Sequence, residues 1–178
     1  QALYRSGVFK CDVALIKVTK PDQHGYVSLG VSVDITLAAV EMAKTVIAVV
    51  DERAPRTLGD ALIPYSKIDY AVMDNHPLME IVNPPPTELD LAIGRNCAEL
   101  IDNGACLQMG IGSIPNAILS SLKDHVDLGI HTEMFSDNVM PLVEEGVING
   151  ARKQIDRGKL VTSFMMGSQK FYDFIDNN

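Results

Sequence analysis

The period of apolar and polar positions changes several times along this chain, and each change predicts an element. Residues 13–18 form a short, nearly unbroken apolar run of the kind that fills a buried strand. Pro21-Asp22-Gln23-His24-Gly25 predicts a turn, and residues 26–31 a second strand. Asp34 is placed to cap a helix over residues 35–44, with Leu37, Val40 and Met42 among its apolar positions. Residues 45–50 are rich in β-branched side chains and predict a strand, as do residues 68–73. Strand and helix alternate, which points to a mainly parallel α/β sheet.

The pattern breaks at Asn83-Pro84-Pro85-Pro86, where neither a helix nor a central strand can form. Residues 83–86 therefore read as a linker between a unit over 1–82 and a unit over 87–178. In the second unit, Thr87 and Asp90 have capping-box spacing. The helix they open carries Leu89, Ala92, Ile93, Leu100 and Ile101 on one predicted face, and Gly104 is expected to end it. Residues 106–109 predict a short strand, followed by a helix over 114–122 with Ala117, Ile118 and Leu122 inward. Residues 126–131 and 160–166 predict strands. Residues 138–145, with Pro141 in the first turn, and 169–176 predict helices. No fixed-period repeat is present.

Composition narrows the functional classes. The chain has 178 residues, 47% of them hydrophobic, and a net charge of −8. No apolar run approaches the ~20 residues of a membrane helix. The acidic balance argues against a nucleic-acid surface, so a polyanionic ligand would have to be held by local donors and helix N-termini. Cys11, Cys97 and Cys106 are widely spaced and read as small buried hydrophobes of a reducing cytoplasm, not a disulfide frame. His24, His76, His125 and His131 lack metal-ligand spacing, and no Cys-x-x-Cys pair or Gly-x-Ser-x-Gly elbow occurs. No metal site is expected.

The candidate chemistry lies in Gln108-Met109-Gly110-Ile111-Gly112-Ser113-Ile114-Pro115 and in Gly129-Ile130-His131-Thr132-Glu133-Met134. Gly110 and Gly112 let backbone amides approach a ligand and allow positive φ. Ser113 is placed to cap the following helix, and Pro115 loses no helical hydrogen bond in a first turn. The free amides of that helix start suit a phosphate, a carboxylate or a developing oxyanion. Glu133 falls at a strand end, where open α/β sheets bind ligands, and can serve as nucleophile or base. His131 could orient it, although a core histidine is the simpler reading. The same glycines and acid also resemble a dinucleotide fingerprint, but Pro115 occupies the place of its third glycine. An NAD-binding oxidoreductase and a non-catalytic binding module are thus the rival classes.

These segments resemble the acetyl-CoA hydrolase/transferase family, in its butyrate and 4-hydroxybutyrate CoA-transferase branch. Asp12-Val13-Ala14-Leu15-Ile16, Pro21 to Tyr26, Ser28 to Asp34, Pro55-Arg56-Thr57 and Ile68-Asp69-Tyr70 also carry the likeness, as does Leu128 to Asp137. The resemblance implies two related open parallel-sheet α/β units of the CoA-transferase type, both incomplete here. It makes residues 1–82 the end of the N-terminal domain and 87–178 the start of the C-terminal domain. It implies a cytoplasmic enzyme, homo-oligomeric at full length, that moves CoA between a short-chain acyl-CoA and a small carboxylate. Glu133 would be the nucleophile and would pass through a glutamyl-CoA thioester. Gly110, Ile111, Gly112, Ser113 and Ile114 would contact CoA, which is a substrate and not a resident cofactor. An acyl-CoA hydrolase on the same scaffold is the near alternative. Asn138 stands where the family usually has glycine. The resemblance covers less than half of a family chain, without the later glycine-rich motif. The chain is therefore expected to be a fragment that cannot complete turnover by itself.

Overall fold

A computed structural model describes residues 1–81 and 84–178. The predicted linker begins at Asn83 and the predicted first unit ends at Val82, both outside the described residues. The chain divides into two compact units, one of residues Gln1–Met79 with Tyr172–Asn178, the other of Glu80–Phe171.

The first unit contains helix α1 (Ala2–Arg5), strand β1 (Val13–Val18), β2 (Tyr26–Ser28), helix α2 (Thr36–Met42), β3 (Thr45–Asp51), β4 (Leu62–Pro64) and β5 (Tyr70–Asp74). β1, β3 and β5 form a parallel sheet with β3 in the centre. Side chains alternate across such a sheet. Ala14, Ile16 and Val18 of β1 therefore join Val46, Ala48 and Val50 of β3 in one core with Val40 of α2. The expectation of a fully buried β1 is corrected. Val13 and Leu15 lie on the other face and are exposed, Leu15 to 78%. The mainly parallel α/β character expected of the fold holds, and β2 adds one antiparallel pairing with β4. The Asp34 carboxylate does receive the amide of Thr36, at 3.2 Å, but from one position outside the helix cap, which is Ile35.

The second unit contains α3 (Glu88–Ala98), β6 (Cys106–Leu107), α4 (Ser113–Ser120), β7 (Gly129–Phe135), α5 (Met140–Glu144) and β8 (Val161–Met165). The last helix, α6 (Gln169–Ile175), begins in this unit and ends in the first. β6, β7 and β8 form a parallel sheet around β7. Leu122, Leu128, Ile130, Val139, Leu142, Ile148 and Phe171 are its largest fully buried apolar side chains. Phe171 meets Phe135 edge to face, with ring centroids 5.6 Å apart.

Several boundaries differ from expectation for identifiable reasons. The strand predicted over 126–131 is displaced to Gly129–Phe135, because Asp127 has φ +58°, which a strand cannot hold. α3 stops at Ala98, before Gly104, whose positive φ shapes the turn into β6. Leu89 and Leu100, predicted inward, are 70% and 86% exposed. The buried face of α3 is instead Gly94 and Ala98. Gly94 lets α4 come close: a Cβ there would stand 2.6 Å from the Ala117 carbonyl oxygen. Residues 137–139 form a 3-10 turn before α5, so the helix predicted over 138–145 is shorter. Among the described residues no helix is long and apolar enough to cross a membrane.

Candidate active site

β6 and β7 run parallel, with Cys106 opposite Gly129 and Leu107 opposite Ile130. The ladder then ends, and the chain leaves β6 as the glycine loop. Glu133 lies three residues beyond Ile130, roughly 10 Å further along the strand direction. The loop and Glu133 therefore both belong to the carboxyl end of this sheet, the end at which open α/β sheets bind ligands.

The loop is built to leave its amides free. Gly112 has φ +110°, a conformation that side chains of L-residues rarely adopt, and it is the cap of α4. The amides of Ser113 and Ile114 open the helix, where no intrahelical acceptor exists for them. Pro115 is the third helical residue and gives up only an amide that would also have been free. The aligned peptide dipoles add partial positive charge at this point. Gly110 and Ile111 are exposed, as is Ile114.

Two details of the prediction are corrected. Gly110 does not use a positive φ; its lack of a side chain instead accommodates Pro115, whose Cγ would lie 3.3 Å from a Cβ there. Ser113 does not cap α4. Its hydroxyl points back to Asp90 and donates to Oδ1 at 3.2 Å. Asp90 is already committed to α3: Thr87 and Asp90 form the expected capping box, the Thr87 amide donating to Oδ2 at 2.8 Å. The Thr87 hydroxyl first, then the Thr87 amide, hold the Asp90 carboxyl below the usual carboxylate range; burial opposes them and the Ser113 hydroxyl adds to them. One carboxylate thus joins the starts of α3 and α4.

Glu133 and His131 project from the exposed face of β7, between the buried positions Ile130, Thr132 and Met134. The reading of His131 as a core residue is therefore wrong. Among the described residues, the Glu133 carboxylate has no hydrogen-bond or ion-pair partner. Its main chain, in contrast, is firmly held. The Glu133 carbonyl accepts from Ser163 Oγ at 2.8 Å and stands 3.0 Å from Thr162 Oγ1. Thr132 Oγ1 accepts the Met109 amide at 2.8 Å. Sequence reasoning missed all three hydroxyl residues, as well as the second role of Asp90. Their only trace was a Thr or Ser interrupting an apolar strand.

Two further sequence readings change. None of the three cysteines, all expected to be buried, is so: Cys11 and Cys97 are half-buried, Cys106 is exposed, and all three are free. Asn138, which stands where the resemblance expects glycine, lies in the 3-10 turn after β7. Its neighbour Asp137 receives the Ser168 amide at 3.0 Å, and Ser168 Oγ in turn accepts the Phe171 amide at 3.3 Å at the start of α6.

Residues 1–83 match the family model described as the acetyl-CoA hydrolase/transferase N-terminal domain. The 4-hydroxybutyrate coenzyme A transferase of Clostridium kluyveri is 52% identical over 99% of this chain and 41% of its own length. A succinyl-CoA:acetate/propanoyl-CoA:succinate CoA transferase of Fasciola hepatica is 46% identical over 99% of this chain and 37% of its own. A crystal structure of a 4-hydroxybutyrate CoA-transferase from Porphyromonas gingivalis superposes with a TM-score of 0.95 at 46% identity, covering 99% of this chain and 45% of that one. The chain therefore spans less than half the length of these relatives.

Proposed function

We propose, from this chain's membership of the acetyl-CoA hydrolase/transferase family, that it supplies the nucleophile and part of the CoA site of an acyl-CoA:carboxylate CoA-transferase. The substrates would be a short-chain acyl-CoA, of the butyryl, 4-hydroxybutyryl or acetyl type, and a small carboxylate such as acetate. The observation that supports the reading is an exposed Glu133 on β7 whose chain neighbour Thr132 accepts the amide of Met109, the residue before the glycine loop.

In this reading the Glu133 carboxylate attacks the thioester carbonyl. The carbonyl oxygen takes the displaced electron pair, and amides of the Gly110–Ile114 loop are suited to hold such an oxyanion. Collapse expels CoA thiolate and leaves an acyl-glutamyl anhydride. The thiolate then attacks the glutamyl carbonyl, giving a Glu133–CoA thioester and releasing the first carboxylate. A second carboxylate enters and the same bonds form and break in reverse. No water is consumed, and no proton need leave a carbon. A carboxylate suits this chemistry because it is both a nucleophile and a leaving group toward acyl carbon. The domain division follows the same reading, with residues 1–82 ending an N-terminal CoA-transferase domain and 87–178 beginning a C-terminal one. We place the enzyme in the cytoplasm, whose reducing conditions suit three unpaired cysteines, and expect a homo-oligomer at full length.

The exposure of Glu133 keeps hydrolysis as a second reading, since water reaching the anhydride or thioester would release free acid and CoA. Intact-mass spectrometry after incubation with butyryl-CoA tests both, on this chain and on one of full family length. The expected result is a CoA-sized adduct that Glu133→Gln abolishes, with acetate converted to acetyl-CoA by the full-length protein. Butyrate and CoA released at the same rate with and without acetate would favour the hydrolase. The absence of any Glu133-dependent adduct on the full-length protein would overturn the nucleophile assignment.

A further inference from the structure

The loop that frees its amides for a ligand creates a local problem. β6 pairs with β7 over only Cys106 and Leu107. Two residues later Met109 is 7% exposed, so its amide and carbonyl need partners within the protein. The ladder no longer supplies them. Thr132 Oγ1 accepts the Met109 amide at 2.8 Å and stands 3.1 Å from the Met109 carbonyl and 3.1 Å from that of Met134; the Met109 carbonyl also accepts from Gln108 Nε2 at 3.0 Å, so the amide is the group that depends on Thr132. A hydroxyl has one proton and two lone pairs. It can therefore take the Met109 proton while giving its own to one of the two carbonyls. The side chain replaces the missing rung of the sheet.

Thr132 is buried and alternates with Glu133, so its hydroxyl faces away from the carboxylate and touches no reacting atom. It nevertheless sits one peptide from Glu133 and bonds the residue that enters the glycine loop. On the opposite edge, Ser163 Oγ donates to the Glu133 carbonyl at 2.8 Å. We propose that Thr132 is a positioning residue, whose hydroxyl locks the entry of the Gly110–Ile114 loop to the strand that carries Glu133. This sets the spacing between the attacking carboxylate and the loop amides. The inference rests on the assignment of Glu133 as nucleophile and deepens it: the sheet itself ends too early to fix that spacing, so one side chain does.

Thr132→Val keeps the shape and removes the hydroxyl; Thr132→Ser keeps the hydroxyl and removes the methyl. Two measurements on the full-length enzyme separate the lock from the assignment it serves. Amide exchange at Met109 reads the hydrogen bond directly: Val should lose the protection of that amide while Ser retains it. The rate of the Glu133–CoA adduct reads the consequence. Misplacement by about 1 Å can cost about 100-fold, so Val should lose about that much in adduct formation and in kcat. KM for acyl-CoA should stay within about threefold, because ground-state binding is not what the lock provides. Ser should recover the rate to within a few-fold. Unchanged Met109 protection in Val, or equal losses in Val and Ser, would overturn the proposal, the latter because the methyl and not the hydroxyl would then matter. If Val does not fold, the Ser variant alone decides by the same two readings. A wild-type enzyme that forms no adduct would overturn the nucleophile assignment and with it the catalytic purpose of the lock, whereas Met109 protection would still report whether the hydrogen bond exists.

Discussion

Gly94→Ala sets two effects of known size against each other at the packing of α3 on α4. Alanine is favoured over glycine in a helix interior by about 1 kcal/mol. The added Cβ, however, would lie 2.6 Å from the Ala117 carbonyl oxygen, 2.7 Å from its carbon and 3.1 Å from its Cβ. The first two are backbone atoms of another helix, with no rotamer to move aside. To restore ordinary contact, α4 must retreat from α3 by roughly 0.8 Å. Forcing a methyl into a packed site costs about 1–3 kcal/mol, so the clash outweighs the propensity gain and a net loss of about 1 kcal/mol is expected. With a urea slope of about 2 kcal/mol/M, the midpoint should fall by about 0.5 M. Denaturation followed by far-ultraviolet circular dichroism measures this, with amide exchange in α3 and α4 locating the loss. Arg95→Ala, on the exposed side of the same helix, exchanges two good helix formers and should change little. A midpoint for Gly94→Ala raised by the full propensity gain would refute the close approach.

The remaining predictions concern the loop, the core beneath β7 and the acid response. Gly112→Ala meets no atom within 4 Å but must hold φ +110°; the strain should cost about 1–3 kcal/mol, read as a lowered melting temperature together with loss of the CoA adduct. Lys153 is buried and donates to the carbonyls of Ile130 at 2.9 Å and Lys159 at 2.7 Å. Lys153→Met strands both acceptors and should destabilise the second unit by about 2 kcal/mol in the same urea assay; an equally stable variant would show that removing the buried charge offsets both bonds. Asp74 is held at about 2, chiefly by its hydrogen bond to the His76 ring against the opposing effect of burial, with the His76 and Asn75 amides adding. Because its folded value lies below the ordinary 3.8, the contribution to stability is complete above that value and disappears as pH falls through 2. His76→Ala should move the Asp74 carboxyl titration, followed by carbon NMR, back upward.

Elements legible in the sequence were those whose signal is local. The β-branched run of β3 and the Thr87–Asp90 box form as expected because neither depends on what lies across the fold. Long-range choices overrode local ones elsewhere. The Leu89 and Leu100 stripe has the right period for a buried face, yet α4 docks where Gly94 and Ala98 are small enough to admit it. Closeness of helix backbones, set by a glycine, decided the face, and an apolar-periodicity argument gives glycine no weight. β4 was invisible because a three-residue strand ending in proline is defined only by its antiparallel partner β2.

The site divides along the same line. Glu133 and the two glycines were singled out on local grounds, a carboxylate just past a predicted strand and glycines before a helix, although β7 in fact runs on to Phe135 and holds Glu133 within it. The groups that fix their geometry could not. Thr132, Thr162 and Ser163 read as ordinary strand residues, and Asp90 as an ordinary helix cap, because nothing in a sequence distinguishes a hydroxyl that faces water from one that replaces a ladder rung. The need for them follows from the role proposed for the loop, holding an anion or oxyanion with its amides. A loop whose amides are satisfied by the sheet would have none to offer an anion. A loop whose amides are all free would wander, and its donors would not be fixed in place before charge develops on the oxygen they are to stabilise. The chain resolves this by anchoring the two ends and leaving the middle open: Met109 is held by Thr132 and Ser113 by Asp90, while Gly110 to Gly112 between them stay exposed or half-exposed. Both anchors use side-chain oxygens, so no loop amide between those two residues is spent on holding the loop itself.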